Sequence, residues 1–407
     1  MKRVILYAVT TGMIWCNYAC NKEESTKEVK PAEPIYLTLK QFEKVDADNR
    51  FSFNMFKQVS SLNGNNTFFS PLSLNMALGM LYNGTSGETR TEMAEVLGMA
   101  GFTDAEINEY YQKMSKALQN IDPLTDIGIA NSIWYRAGFS VKQPFIDVNQ
   151  SYFDAVVRSL DFANPNAADI INQWCADKTK NKIEEIVDNP IPEDVMMYLI
   201  NALYFKSNWK FQFDKTKTQQ LAFTKTNNQQ KTVNMMMQES VTLPFYADQY
   251  LTCVEMPYGN QAFSMVAILP ASNSNIEQLI EHLDYTTWEN ILNNLHEKGI
   301  KLGFPRFKIE CEMTLNEPLQ NVGMKRIFLG GLANIADADL AVSKVKQKTF
   351  VEVNEEGTEA AAVTVIEMKN TSSTSPSFYA NRPFLYLIKE KSTGAILFIG
   401  RMDEPGE

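Results

Sequence analysis

One stretch close to the C-terminal end constrains the fold more than any other. Thr358, Ala360, Ala362, Thr364, Ile366 and Met368 occupy alternate positions, and none is charged. The odd positions hold Glu359, Ala361, Val363, Val365, Glu367 and Lys369. Every charge therefore falls on one side of a two-residue period, the pattern of a strand with one buried and one wetter face. Val363 to Ile366 adds four β-branched residues in succession. Yet an acidic, Gly-containing stretch precedes the segment, and the polar run Asn370-Thr371-Ser372-Ser373-Thr374-Ser375-Pro376 follows it. A segment patterned as a strand but placed in a loop is a candidate for changing state.

The rest of the chain is that of a packed globular protein: 44% hydrophobic, 11% aromatic and 21% charged over 407 residues, which excludes disordered, collagenous and disulfide-scaffold classes. Length alone suggests two or three domains. The net charge of −10, with Lys and Arg scattered, argues against nucleic acid as a partner. His282 and His296 are the only histidines, so a Ser-His-Asp hydrolase or a His-rich metal site has almost nothing to build with. No cofactor or metal site is indicated, and an enzyme is not expected.

Residues 1–19 read as a signal peptide: Met1-Lys2-Arg3, then an apolar run from Val4 to Trp15 too short to span a bilayer. Ala19-Cys20 resembles the lipid-attachment site of bacterial lipoproteins, and Lys22-Glu23-Glu24 is similar to the export tag of surface-exposed ones. The resemblance implies a lipidated Cys20 and an outer-membrane lipoprotein on the cell surface; the alternatives are a plain thiol at Cys20 and a periplasmic or secreted protein. Residues 20–37 then form the lipidated Cys and a flexible tether, rich in Lys, Glu, Ser and Pro. Residues 38–407 form the domain. Cys175, Cys253 and Cys311 sit in apolar-rich segments without CxxC spacing and read as small buried hydrophobes, the alternative being a reactive thiol.

Within 38–407 no linker, repeat or low-complexity block appears. Phe42, Val45, Phe51, Phe53, Phe56 and Val59 predict one helix, and Ile107 to Leu118 another. Ile127–Tyr135, Val195–Phe205, Phe263–Leu269, Lys348–Val353, Phe384–Ile388 and Ala395–Ile399 predict strands, the last two as a hairpin about Lys389–Gly394. Helices early and strands late argue for an α+β fold with antiparallel sheets.

Four motifs, in order over about 330 residues, closely resemble the signatures of serpins. They are Phe69-Ser70-Pro71-Leu72-Ser73 through Asn83-Gly84-Thr85-Ser86-Gly87-Glu88-Thr89; Asn201-Ala202-Leu203-Tyr204-Phe205-Lys206 with Trp209; Val353-Asn354-Glu355-Glu356-Gly357-Thr358-Glu359-Ala360-Ala361-Ala362; and Asn381-Arg382-Pro383-Phe384-Leu385 with Gly400-Arg401. The resemblance implies one serpin domain, in place of two or three, with three β-sheets, eight or nine helices and an exposed reactive-centre loop near the C-terminus. It further implies a suicide inhibitor: a serine protease cuts the loop and is held as an acyl-enzyme while the loop inserts as a new strand of the central sheet. The driving force would be a native state held above its global minimum by a barrier.

Residue by residue, the resemblance makes Glu355, Gly357, Thr358, Glu359, Ala360, Ala361 and Ala362 the hinge. Gly357 would supply the hinge dihedrals, and the alanines would make the first insertion steps fast. Ser73 and Asn201 match hydrogen-bonding residues beneath the central sheet; their usual His partner is here Gln347, which can both donate and accept. Glu355 and Arg306 match a charge pair where the loop enters, with Trp209 packed beside it. Counting from Gly357 places the scissile bond at Thr371-Ser372; counting back from Pro383 gives Ser372-Ser373. Lys369 and Met368 are alternative sites. Thr371 suits elastase-like proteases, expected first; trypsin-like or chymotrypsin-like proteases come second, and papain-like cysteine proteases extend the range. The protein is expected to be a monomer that can form loop–sheet polymers, touching the membrane through its lipid only. The alternative is a non-inhibitory serpin serving as a binding or carrier module.

Overall fold

The computed structural model describes residues 32–63, 66–358 and 375–406. Among them are nine α-helices: α1 (Leu39–Asn63), α2 (Pro71–Tyr82), α3 (Gly87–Val96), α4 (Asp104–Asn120), α5 (Gln143–Phe153), α6 (Ala167–Lys178), α7 (Ile276–His282), α8 (Tyr285–Asn294) and α9 (Asn316–Asn321). Helix α2 explains its own position. Pro71 pre-sets its first turn, and Ser70 caps it by accepting the Ser73 amide at 3.2 Å. Beyond that it is apolar nearly all round, and a helix without a polar face belongs inside. Helix α4 is the opposite case, with a Thr103–Glu106 capping box and a stripe of Ile107, Tyr110, Tyr111, Met114 and Leu118 turned inward.

The described residues also form fifteen strands. They are β1 (Thr67–Phe69), β2 (Thr125–Arg136), β3 (Val156–Leu160), β4 (Met197–Asn208), β5 (Gln219–Thr224), β6 (Gln230–Ala247), β7 (Leu251–Pro257) and β8 (Phe263–Pro270), followed by β9 (His296–Pro305), β10 (Phe307–Thr314), β11 (Lys346–Val353), β12 (Gly357–Thr358), β13 (Ser377–Tyr379), β14 (Phe384–Glu390) and β15 (Ile396–Met402). One sheet runs β10–β11–β12–β4–β2–β3. The other nine strands form two sheets joined through β6, in the order β1–β15–β14–β8–β7–β6–β9–β13, with β5 also on β6. Strand β6 pairs β9 from Met235 to Phe245 and β7 from Phe245 to Ala247. Its register against β9 shifts between Gln238 and Val241, a bulge that lets one strand serve both sheets.

The six-stranded sheet is covered on both faces. Ile133 and Leu203 enter the main core, while their neighbours in the pleat Trp134 and Ala202 meet smaller clusters that hold Ile171 and Cys175 of α6. The strands expected from the sequence are β2, β4, β8, β11, β14 and β15, and the two expected helices are α1 and α4. Cys175, Cys253 and Cys311 are free and buried.

The N-terminal segment departs from expectation. Residues 32–37 do not behave as tether: Ile35 is 7% exposed, its amide donates to Ser392 Oγ at 2.9 Å, and the Ala32 amide donates to Asn260 O at 3.2 Å. Ile35 is the one buried residue of Pro34-Ile35-Tyr36-Leu37, a run too short to show a helical or strand period, so its docking leaves no sequence pattern.

Candidate functional site

Val353 ends β11, and the chain reverses within four residues. The Asn354 side-chain oxygen accepts the amides of Glu356 (3.1 Å) and Gly357 (3.2 Å), while the Asn354 amide donates to Gly357 O at 2.9 Å. The returning strand β12 sets Gly357 opposite Asn208 and Thr358 opposite Ser207 of β4. It also sets Thr358 opposite Val353 of β11. Among the described residues, β4 and β11 are not paired with each other; Gly357 and Thr358 alone bridge them. The sheet is therefore joined at one end by a two-residue strand.

This hairpin is held from every side. Trp209 donates from its indole to Asn354 O (2.9 Å) and from its amide to Glu356 O (2.8 Å), and the Phe213 amide donates to Glu355 O (2.9 Å). Glu355 is 1% exposed, and its Oε1 accepts Arg306 Nη2 and Thr218 Oγ1, both at 2.6 Å. Burial pushes this carboxyl up, but the hydrogen bonds from Arg306 and Thr218 outweigh it and hold the group below the usual carboxylate range. Glu356 pairs with Lys215. Trp209 stacks on Tyr258 with ring centroids 4.4 Å apart, and the Tyr258 hydroxyl lies 2.6 Å from Thr358 Oγ1. Burial pushes the Tyr258 hydroxyl well above its ordinary value, so it stays protonated.

Two sequence expectations change in detail. Gly357 does not adopt a left-handed conformation; a Cβ there would lie 2.6 Å from Asn208 Cα and collide with Ser207 O. The glycine answers to the closeness of β4, not to special dihedrals. Ser73 and Asn201 do come together, Ser73 Oγ donating to Asn201 O at 3.3 Å. Gln347 bridges as expected of an amide, but its partners are elsewhere. Its Oε1 accepts the Ser70 amide at 2.8 Å and its Nε2 donates to Ser70 O at 2.9 Å. Thus β11 is clamped to the cap of α2, and the Asn201 side chain turns to Asn131 Oδ1 at 2.7 Å.

Cys20, Glu359, Ala360, Ala361, Ala362, Met368, Lys369, Thr371, Ser372 and Ser373 lie outside the described residues. Past that stretch the chain resumes against β9. The Lys301 amide donates to Pro376 O, and β13 runs parallel to β9 with Phe378 opposite Leu302. Leu302 faces Gln238, whose side chain reaches the carbonyls of Phe211 and Gln212 next to Trp209. Tyr258, Thr218 and Lys215 were not anticipated, because their roles arise from long-range packing. Asn354 and Ser70 carried local signals: an Asn two residues before a Glu-Gly turn, and a Ser-Pro cap.

A sequence model described as Serpin (serine protease inhibitor) matches residues 46–405. Iripin-3 of Ixodes ricinus is 35% identical over 367 residues, covering 88% of this chain and 93% of the relative. The native-state structure of the thermophilic serpin tengpin superposes with a TM-score of 0.82 at 28% identity, over 93% of this chain and 97% of that one. Human thyroxine-binding globulin in complex with thyroxine also gives 0.82, at 25% identity over 90% and 100%. With the family model spanning nearly the whole domain, this chain belongs to the serpin family of serine protease inhibitors.

Proposed function

We propose that this serpin is a suicide inhibitor of serine endopeptidases that works by inserting the segment after Thr358 between β4 and β11. The supporting observation is the bridge itself. Among the described residues β4 and β11 meet only through Gly357 and Thr358, and the ten residues that follow alternate as a strand should. Glu355, Gly357 and Thr358, with Glu359, Ala360, Ala361 and Ala362, are the hinge in this reading; Arg306 and Trp209 hold its entrance. Ser73, Asn201 and Gln347 hold the strands that must part. The scissile bond is assigned to Thr371-Ser372, with Met368, Lys369 and Ser373 as alternative positions, and elastase-like proteases are the first targets. No catalytic residue and no cofactor is assigned. Residues 1–19 are read as signal peptide and Cys20 as the lipid-bearing residue of a surface lipoprotein.

The test is incubation of the mature chain with an elastase and, separately, with trypsin, followed by a denaturing gel and the mass of the released C-terminal peptide. A boiling-resistant band near the summed masses supports trapping, and the peptide mass names the bond. Clean cleavage by every protease tried would remove the inhibitory reading. The likeness to thyroxine-binding globulin favours one rival, a carrier module. The hinge separates the two: Thr358→Arg or Ala360→Pro should abolish trapping, while a carrier would keep its ligand.

A further inference from the structure

The docked residues Ala32 and Ile35 fix where the N-terminal segment joins the domain, and they place that junction at the hinge end. The Ala32 amide reaches Asn260 O, and the amide of the preceding Gly259 donates to Asn208 O at 2.9 Å. Asn208 is the residue of β4 that faces Gly357. Ala32 is thus two hydrogen bonds and one strand pairing from the hinge, a path of at most about 20 Å. Pro376, where the chain resumes after the loop, sits on the same end through Leu302, Gln238 and Phe211. The opposite end of β11, at Lys346, is about 24 Å farther along the strand.

Eleven residues, Asn21 to Pro31, separate Cys20 from Ala32. Whatever conformation they take, the twelve Cα steps involved span at most about 40 Å. A globular protease of some 220 residues is itself about 40 Å across. The tether therefore leaves room for little more than one protease between a bilayer holding Cys20 and the point where the chain enters the domain. That end also shows apolar side chains to the outside. Tyr36 and Leu39, just past Ala32, are 73% and 85% exposed, and Leu124 is 49% exposed. Leu124 belongs to the turn whose Asp122 accepts the Asn260 amide. A tyrosine beside exposed leucines suits the boundary between headgroups and acyl chains.

We infer that the anchored protein holds its hinge end, with Tyr36, Leu39 and Leu124, toward the lipid surface that carries Cys20, and so intercepts proteases working on that surface in preference to equally reactive ones in bulk solution. The inference rests on the lipid-anchor and loop-insertion readings above.

The experiment uses the mature full-length chain in vesicles of phosphatidylethanolamine and phosphatidylglycerol. One dye is placed by Lys391→Cys, beside the tether junction, and in a second protein by Lys344→Cys, near the far end of β11. Energy transfer to headgroup-bound acceptors should be at least about twofold greater from position 391 than from 344. Inserting forty Gly/Ser residues between Lys30 and Pro31 should make the two equal. The same insertion should raise the rate of covalent capture of a soluble elastase by the vesicle-bound protein at least about threefold, to the rate of the Cys20→Ala chain in solution. Equal transfer from both positions, or greater transfer from 344, overturns the orientation. An unlipidated N-terminal peptide on mass analysis removes anchor and orientation together. Unequal transfer without any covalent capture sustains the orientation and removes the inhibitory reading instead.

Discussion

The hydroxyls of Tyr258 and Thr358, a hundred residues apart in sequence, lie 2.6 Å from each other in the core. Tyr258 is wholly buried and Thr358 is 3% exposed, so water replaces neither partner. Tyr258→Phe strands the Thr358 hydroxyl and should cost about 1–3 kcal/mol, as should Thr358→Val in the reverse sense. The double variant removes both polar groups and should be less destabilised than the sum of the singles, since no buried hydroxyl then lacks a partner. Thermal unfolding of the four proteins measures this coupling. Strict additivity would show that the pair does not hold the hinge.

Gly357 is confined by backbone, not by flexible side chains. A methyl group there meets Ser207 O and Asn208 Cα, so β12 must withdraw from β4. Gly357→Ala should destabilise by about 1–3 kcal/mol, the usual range for overfilling a packed site. Because the hinge would then start outside the sheet, more inhibitor should be cleaved before it can trap. Active-site titration against an elastase should give a higher stoichiometry than the parent protein; an unchanged value at reduced stability would confine Gly357 to a structural role.

Glu355 predicts a pH dependence with a defined sign. Its folded carboxyl titrates below the ordinary value because Arg306 and Thr218 outweigh the effect of burial. A carboxyl that binds its proton less readily when folded stabilises the folded state at neutral pH. That contribution is complete above the unfolded value of about 4.3 and is lost as pH falls through the lower folded value. Glu355→Gln should therefore lower stability by about 1.5–3 kcal/mol at neutral pH, the range for a hydrogen bond to a charged group. The gap between variant and parent should narrow steadily as melting is repeated at pH values falling below the unfolded value. A gap that does not change with pH would mean that shape, not charge, is what Glu355 provides.

Much of this arrangement is written locally. The period of two in β11 and the apolar stripe of α4 follow from side-chain spacing alone, and the Ser70-Pro71 cap is a local signal. The Arg306–Glu355 pair was legible by resemblance, and the two groups do meet at 2.6 Å. What could not be read was set by distant neighbours. Gln347 lies on Ser70 because β11 passes over the cap of α2. The spacing demand at Gly357 comes from β4, some 150 residues earlier. Ile35 docks because Ser392 happens to present a hydroxyl, and no pattern near Ile35 announces it.

Cys175 offers a probe of the motion itself. It lies on α6 in a small cluster with Ile183 and with Ala202 of β4, and it feels the charge of Lys348 on β11. Helix α6 thus covers the place where β4 and β11 must separate. Burial pushes the thiol up to about 12, so at neutral pH it is neither accessible nor ionised. In the resting protein, thiol reagents should leave Cys175, Cys253 and Cys311 unmodified. If a strand enters between β4 and β11, α6 must lift, and Cys175 should label at least about tenfold faster while protease is being trapped. Cys253 of β7, away from that junction, should stay silent. Peptide mapping after a short pulse of reagent, with and without protease, reads both. Labelling of all three cysteines would indicate general unfolding, and labelling of none during productive trapping would show that the strand enters without disturbing α6.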